Sequence, residues 1–196
     1  MLKEKFTNRK LILASGSPRR QQFLKELGVD FEIRLKEIKE IYPEELKREA
    51  ITNYLAKLKA SAFINELKDD DVLITSDTLV WLNEEALGKP KDSNQAFEIL
   101  SKLNGQTHQV ITSVCLKSTN KEVVFHEITD VTFKKLSTEE ICYYIDNYKP
   151  FDKAGAYGIQ GIGGQFIRRL EGSYTNVMGL DLVVVREELE KLGYRL

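Results

Sequence analysis

Positively charged residues follow a short apolar run near the start of the chain. Leu11 to Ala14 has the length and apolar character of a buried strand, and a turn of small residues, 15–18, interrupts it. Ser17 is expected to be the N-cap of the next helix, because the proline after it has no N–H to leave unpaired. Arg19 and Arg20 would then lie at a helix N-terminus, where unpaired N–H groups and two guanidinium groups together could bind a phosphate chain.

This turn by itself leaves two interpretations open. A capped surface helix with two solvated arginines would show the same residues. Cations at a helix N-terminus are ordinarily unfavourable, however, so a bound anion would explain why two arginines are tolerated there. The helix itself is predicted to run on to Gly28.

A second polar interruption follows the apolar run from Val72 to Thr75. Asp77 lies between that predicted strand and another apolar run, Leu79 to Leu82. A carboxylate in such surroundings is either buried and paired or functional, because burying it unpaired is costly. Catalytic carboxylates often lie at strand ends facing a cleft, so Asp77 is a candidate catalytic residue at the end of a strand. The alternative is a carboxylate that only caps a neighbouring loop.

The remaining elements carry further candidate residues. An amphipathic helix is predicted from Arg48 to Leu67, and a tight return after the next strand places Lys89 on a loop stiffened by proline. Alternating apolar residues predict a long antiparallel hairpin over Gln106 to Leu136. Residues 151–164 are rich in glycine and include Gln160. This glycine content indicates backbone packed against a ligand, although a tight turn would explain single glycines equally well.

Composition argues against several classes of protein. The 196 residues contain 29 Lys and Arg against 30 Asp and Glu, so no net charge attracts the chain to nucleic acid or to anionic lipid. One domain over residues 1–196 is expected. No secretion signal or apolar run of ~20 residues is present, which predicts a cytoplasmic protein. Cys115 and Cys142 lack the spacing of metal ligands and are expected to be buried free thiols.

Taken together, the motifs resemble one family. SGSPRR after a strand, SDT after a strand, GKP on a loop, and DKAGAYGIQG followed by GSYTN are similar in order and spacing to the Maf family of nucleoside triphosphate pyrophosphatases. The resemblance extends from Leu11 to Leu182. It implies an ITPase-like α/β fold in which an elongated mixed sheet is flanked by helices, with two lobes and a central cleft.

The same resemblance implies roles for individual residues. The proton acceptor of the family falls on Asp77, which with Glu40 would hold a divalent cation, Mg²⁺ or Mn²⁺. The positions tied to the choice of base match Arg19, Thr78 and Gln160. The complete set of implied substrate-binding residues is Ser15, Ser17, Arg19, Arg20, Lys59, Thr78, Lys89 and Gln160.

The reaction implied is hydrolysis of a nucleoside triphosphate to its monophosphate and pyrophosphate, which would remove non-standard or modified pyrimidine nucleotides. Thr78 and Gln160 match the branch of the family that acts on dTTP and UTP. An alternative is a regulator linked to arrest of cell division, which would bind such nucleotides without cleaving them. A nucleic-acid binder is disfavoured by the balanced charge. The sequence leaves the oligomeric state open, and a homodimer is compatible with it.

Overall fold

In the computed structural model, which describes residues 9–194, strands and helices follow one another along most of the chain. Three short 3₁₀ segments, Pro150–Asp152, Ala154–Ala156 and Gly161–Phe166, precede the last strand. Among residues 9–194, no helix is both long enough and apolar enough to cross a membrane. The other elements, in chain order, are β1 (Lys10–Leu13), α1 (Pro18–Glu26), β2 (Phe31–Ile33), α2 (Glu49–Ser61), β3 (Asp71–Leu82), β4 (Glu85–Leu87), α3 (Ser93–Leu103), β5 (Thr107–Lys117), β6 (Glu122–Phe133), α4 (Thr138–Tyr148), β7 (Ile167–Glu171), α5 (Tyr174–Val177) and α6 (Leu182–Lys191).

The strands form one mixed sheet of seven. Their order is β2-β1-β3-β5-β6-β7, and β4 pairs with β3 outside this path. β1 is parallel to both β2 and β3, whereas β4 is antiparallel to β3 and β7 is antiparallel to β6. β5 and β6 are neighbours joined by residues 118–121 alone, which is the predicted hairpin. The predicted α/β class with a mixed sheet is confirmed.

The chain forms two compact units, and β3, β5 and β6 each contribute residues to both. The first unit consists of three segments: the residues up to Asp77, Thr112–Glu127, and the residues from Gly179 onward. The second unit consists of Thr78–Ile111 and Ile128–Met178. The single domain over residues 1–196 and the cleft stay predictions. Buried core residues of the first unit include Ile12, Ala56, Ala60, Phe63, Leu73 and Cys115, and those of the second include Val80, Leu100, Val131, Phe133, Tyr144, Tyr157 and Phe166.

Side-chain caps begin several helices. Ser137 and Glu140 form a capping box at the start of α4, each side chain accepting a hydrogen bond from the backbone N–H of the other. The side chain of Asp92 caps α3 by accepting a hydrogen bond from the N–H of Gln95 at 2.8 Å. Ser17 is the N-cap of α1, but its side chain makes no capping bond, and Ser15 Oγ instead accepts from the N–H of Ser17 at 3.3 Å. Ser17 is therefore the N-cap as predicted, but its side chain does not accept the hydrogen bond that an N-cap serine usually accepts.

Two elements have different bounds from those predicted. α2 ends at Ser61 and not at Leu67, because the next residues form tighter turns and Lys36 Nζ donates to the carbonyl oxygen of Ala62 at 2.6 Å. β3 continues without a break from Asp71 to Leu82, and its last residues, Val80–Leu82, pair with β4. Asp77 therefore lies inside a long strand, and the prediction that it ends a strand is wrong.

The two cysteines differ in their surroundings. Cys115 is a buried free thiol, as predicted, in the core of the first unit. Cys142 is also free but exposed, so that part of the prediction is wrong. The reason is helical geometry: α4 buries Ile141 and Ile145, which lie four residues apart on one face, and the residue after Ile141 points away from that face.

Gly155 occupies a position in the second unit with no room for a side chain. Its φ is +70°, and a Cβ atom there would lie 2.7 Å from Cγ2 of Val80. We expect Gly155→Ala to lower the free energy of unfolding by about 2–5 kcal/mol, the sum of left-handed strain and overpacking.

A matched control separates the two contributions. Gly28 has a similar φ of +72° but nothing within 4 Å of its Cβ position, so Gly28→Ala should cost only the strain, roughly 1–2 kcal/mol. Urea unfolding of both variants measures the difference. Equal losses in the two would show that the contact with Val80 contributes nothing.

Candidate active site

Lys59 connects the two carboxylates that were predicted to act together. Its Nζ atom, on α2, lies 2.6 Å from Oδ1 of Asp77 and 3.1 Å from Oε1 of Glu40. The side chains of Lys59 and Asp77 are only 14% and 10% exposed, whereas that of Glu40 is 48% exposed. The structure therefore brings three of the predicted site residues together, and the Lys59 and Asp77 side chains are largely shielded from water.

The environment of Asp77 favours a role as proton acceptor. Burial raises the pKa of Asp77 above its ordinary value, and the positive charges of Lys59 and Arg20 oppose that rise. A general base works best when its pKa lies nearer the working pH than that of an ordinary aspartate. The ion pair with Lys59 also fixes the carboxylate in one orientation.

Arg20 fixes the backbone beside this aspartate. Its Nε donates to the carbonyl oxygen of Gly179 at 2.8 Å, and its Nη1 donates to the carbonyl oxygen of Ser76 at 3.1 Å and to Ser15 Oγ at 3.4 Å. Burial lowers the pKa of the Arg20 guanidinium, which nevertheless remains charged as arginine does in proteins. Since Ser76 immediately precedes Asp77, these bonds hold the strand that carries the carboxylate.

Ser76 and Gly179 supply oxygen atoms that the sequence did not single out. The carbonyl oxygen of Ser76 lies 3.4 Å from Lys59 Nζ as well as accepting from Arg20, and Ser76 Oγ donates to the carbonyl oxygen of Gly179 at 3.2 Å. Arg20 and Gly179 are 159 residues apart in the chain. No local pattern could have paired them, because the contact depends on how distant segments fold together.

Ser17 and Arg19 lie at the beginning of α1 and are both partly exposed. The charge of Arg19 is one of the causes that lower the pKa of Arg20, so the two guanidinium groups repel each other. A phosphate group at the same helix N-terminus would offset that repulsion and accept from the backbone N–H groups there. The structure thus favours the anion-site interpretation of this turn.

Thr78, Lys89 and Gln160 belong to the second unit. Lys89 and Gln160 are exposed, and Thr78 is half-buried. The carbonyl oxygen of Gly88 accepts from the N–H of Gly155 at 3.1 Å. This hydrogen bond ties the loop of Lys89 to the glycine-rich segment that leads to Gln160, so two predicted binding residues share one support.

Glu40 and Asp77 are the carboxylates that the predicted metal would need. Mg²⁺ is usually held through one or two carboxylates together with waters and substrate phosphates. Glu40 and Asp77 already converge on one cationic group, the Lys59 ammonium, which shows that both carboxylates can face a shared positive charge. Within residues 9–194, no group of three or more His, Cys, Asp or Glu could hold a metal by itself. The residues fit a cation that arrives with the substrate.

His108 is buried against the same glycine-rich segment. Its Nε2 lies 2.8 Å from Oη of Tyr157, and burial lowers the pKa of His108 to about 4. The unfolded chain takes up this proton near pH 6.5, so the folded state loses stability as the pH falls from 6.5 towards the lowered pKa. We expect this residue to contribute a loss of about 2 kcal/mol between pH 7 and pH 5.

Urea unfolding at the two pH values tests this expectation. His108→Gln retains a polar partner for Tyr157 and should remove that part of the pH dependence. His126→Gln, at an exposed position on β6, is the matched control and should leave the pH dependence as it is in the wild-type chain. If the His108 variant lost as much stability as wild type on acidification, another group would have to be responsible.

Comparisons with known proteins identify the family of this chain. The model of the family described as "Maf-like protein" matches residues 10–192. A "dTTP/UTP pyrophosphatase" of Flavobacterium psychrophilum is 64% identical over 181 residues, which are 92% of this chain and 93% of that protein. A protein of the same name from Flavobacterium johnsoniae is 58% identical over 193 residues, 98% of this chain and 100% of that one.

Among solved structures, the Ham1 protein of Staphylococcus aureus is similar in fold. The TM-score is 0.53 with 15% sequence identity, and the match covers 92% of this chain and 100% of that one. At this identity the likeness concerns the fold alone, and it agrees with the ITPase-like architecture predicted from the motifs. Since the family model and near-full-length relatives match almost the whole of the described chain, the chain belongs to the Maf family.

Proposed function

We propose that this chain hydrolyses dTTP and UTP to the nucleoside monophosphate and pyrophosphate. The observation that carries the proposal is the buried Asp77 carboxylate held at 2.6 Å by Lys59. The relatives named dTTP/UTP pyrophosphatase, which align over nearly the whole chain, support the same activity. A regulator that only binds the nucleotide needs no proton acceptor, so a desolvated carboxylate of this kind favours an enzyme.

In the proposed reaction Asp77 accepts a proton from water. The oxygen of that water forms a bond to the α-phosphorus. The phosphoanhydride bond between the α- and β-phosphates then breaks, and pyrophosphate is the leaving group. Lys59, whose Nζ donates to Oδ1 of Asp77 at 2.6 Å, would hold that carboxylate in place and neutralise negative charge on the phosphates. Glu40, whose Oε1 lies 3.1 Å from Lys59 Nζ, would help to orient that ammonium group.

We propose that Glu40 and Asp77 hold Mg²⁺ or Mn²⁺ when the substrate is bound. The metal would supply Lewis-acid stabilisation of the negative charge on the phosphate oxygens. For the remaining phosphate charge we propose the start of α1, with the hydroxyl groups of Ser15 and Ser17 and the guanidinium groups of Arg19 and Arg20. We propose further that Lys89 contacts phosphate and that Thr78 and Gln160 contact the base.

The direct test offers the purified protein a panel of nucleoside triphosphates with Mg²⁺ or Mn²⁺. Pyrophosphate and orthophosphate are measured separately, because only cleavage between the α- and β-phosphates yields pyrophosphate. Release of pyrophosphate from dTTP and UTP over many turnovers is expected. Binding without turnover would favour the nucleotide sensor, and release of orthophosphate alone would contradict the bond assigned here.

The proposed phosphate contacts predict a kinetic loss in two variants. Arg19→Ala and Lys89→Ala should each lower kcat/KM by about 10²-fold, the usual effect of removing one charge-stabilising donor from a preorganised site. Lys91→Ala, at an exposed position in the same loop as Lys89, is the matched control and should stay within about twofold of wild type. Unchanged kinetics in both test variants would mean that the phosphates lie elsewhere.

The cellular location and the assembly are separate proposals. We propose a cytoplasmic enzyme, where its nucleotide substrates are found, and cell fractionation followed by detection of the chain would test the location. A homodimer is the assembly we propose, and sedimentation at several protein concentrations would distinguish it from a monomer.

A further inference from the structure

The segment from Gly158 to Gly164, which carries Gln160, folds back on its own backbone. A Cβ atom on Gly163 would lie 2.3 Å from the carbonyl oxygen of Gly158, and one on Gly164 would lie 2.4 Å from that of Ile159. The two ends of the segment are thus in backbone contact, closer than any side chain would allow. Gln160 and its neighbour Gly161 lie at the exposed tip between these ends.

One hydroxyl group contacts both ends of this segment. The N–H of Gly158 donates to Oη of Tyr144 at 3.2 Å, and the same oxygen would lie 3.0 Å from a Cβ atom on Gly163. Tyr144, on α4, is itself buried. Its ring packs edge-to-face against Phe166 with centroids 4.8 Å apart and stacks on Tyr148 with centroids 5.4 Å apart. The hydroxyl is therefore held by a fixed aromatic ring.

The segment needs such a support because of its composition. Four of its seven residues are glycine, the residue that loses most backbone freedom on folding, so its ordered form is costly in entropy. Tyr157, just before it, is fixed by the hydrogen bond with His108. The hydrogen bond from the N–H of Gly158 to Oη of Tyr144 fixes the next residue as well, so the backbone is held on the side that leads to Gln160. Recognition of a base edge requires hydrogen-bond distances of about 2.7–3.2 Å. A small displacement of Gln160 would therefore weaken its hydrogen bonds to the base.

We propose that Tyr144 is a positioning residue for substrate selection: its hydroxyl fixes the closed backbone of residues 158–164 and so places Gln160 for reading the base. The inference rests on the proposed role of Gln160 in base choice. Tyr144 makes no contact with substrate in this proposal and acts through the backbone alone. It is a feature of α4, an element to which the family motifs assign no site residue.

The primary experiment compares Tyr144→Phe with Tyr143→Phe. The first change removes the hydroxyl oxygen of Tyr144 and keeps its buried ring. The second removes the hydroxyl oxygen of Tyr143, a neighbouring residue that is 60% exposed. Tyr144→Phe should lower the ratio of kcat/KM for UTP to that for CTP by about 5- to 10-fold, mainly through KM, as expected for one lost hydrogen bond. Tyr143→Phe should leave this ratio within about twofold of wild type.

A double-mutant cycle with Gln160→Ala separates this inference from the proposed function. In the Gln160→Ala background, Tyr144→Phe should have no further effect on the UTP to CTP ratio. If Gln160→Ala changes the ratio but Tyr144→Phe does not, the positioning role is wrong and base reading stands. If Tyr144→Phe lowers the ratio equally in both backgrounds, it does not act through Gln160. If Gln160→Ala leaves the ratio at the wild-type value, base reading fails first, and the positioning role fails with it.

Hydrogen exchange of the wild-type protein gives a readout that requires no variant to fold. The amide of Gly158 should be protected well beyond that of Gly161, which lies at the exposed tip of the same segment. Equal, rapid exchange at the two amides would show that Tyr144 does not hold the segment. Protection at Gly158 with rapid exchange at Gly161 supports the proposal even if Tyr144→Phe is too unstable to assay.

Discussion

Asp77→Asn should reduce the rate of pyrophosphate release by about 10³-fold or more while leaving nucleotide binding largely intact. The substitution keeps the size of a side chain that is only 10% exposed, but it removes the negative charge that accepts a proton and pairs with Lys59. General bases typically contribute about 10²–10⁴-fold, and loss of a carboxylate for the proposed metal adds to that. Turnover is measured by pyrophosphate release and binding by calorimetry with UTP.

Asp70→Asn is the matched control, because Asp70 is an exposed aspartate just before the strand that carries Asp77. Its activity should be that of the wild-type protein. Thermal unfolding of both variants shows whether a loss of rate reflects loss of the fold. If Asp77→Asn kept activity within tenfold of wild type, Asp77 could not be the proton acceptor.

Gln160→Glu should lower activity on dTTP and UTP far more than it lowers thermal stability. The amide of Gln160 can donate to O4 and accept from the N3–H edge that thymine and uracil share, whereas cytosine presents the opposite pattern there. A carboxylate removes the donor and adds negative charge. Because Gln160 is exposed, the fold should change in stability by no more than about 0.5 kcal/mol.

The same reasoning predicts that wild-type protein prefers UTP to CTP by roughly 10²- to 10⁴-fold, since the wrong base leaves polar groups unpaired. This preference requires the amide to be held in one orientation, because a half-turn of the amide would exchange donor and acceptor. Gln165→Glu, at an exposed position in the same region of chain, is the matched control. Equal hydrolysis of CTP and UTP, or an unchanged ranking in Gln160→Glu, would remove Gln160 from base selection without affecting the proposed cleavage.

Features that depend on neighbours in sequence were predictable from the sequence. The strand before the SGSPRR turn, the helix predicted to run on to Gly28, which ends at Glu26, and the capping box of Ser137 and Glu140 all follow from residues within a few positions of one another. The tight return between β3 and β4 is of the same kind, with positive φ at both Asn83 and Glu84. The motifs also identified the family, because their order and spacing are written in the chain itself.

Features that depend on distant segments were decided by the tertiary structure alone. Asp77 lies inside a strand because β3 continues past the polar interruption seen in sequence as far as Leu82, and it pairs with β4 only over Val80–Leu82. Arg20, predicted only as a phosphate ligand, reaches a carbonyl oxygen 159 residues away. Tyr144 looks like an ordinary apolar residue of an amphipathic helix until the glycine segment is placed against its hydroxyl.

The physical reason for this division is the range of the interactions. Caps, turns and helical periodicity arise from hydrogen bonds and packing over one to four positions, so residue types reveal them directly. The buried charges of the site are stable only because Lys59 and Arg20, from two helices, meet Asp77 and the carbonyl oxygens beside it. That pairing is a property of the folded chain. The sequence determined which charged and polar groups are present, and the tertiary structure decided which of them are paired with one another away from solvent.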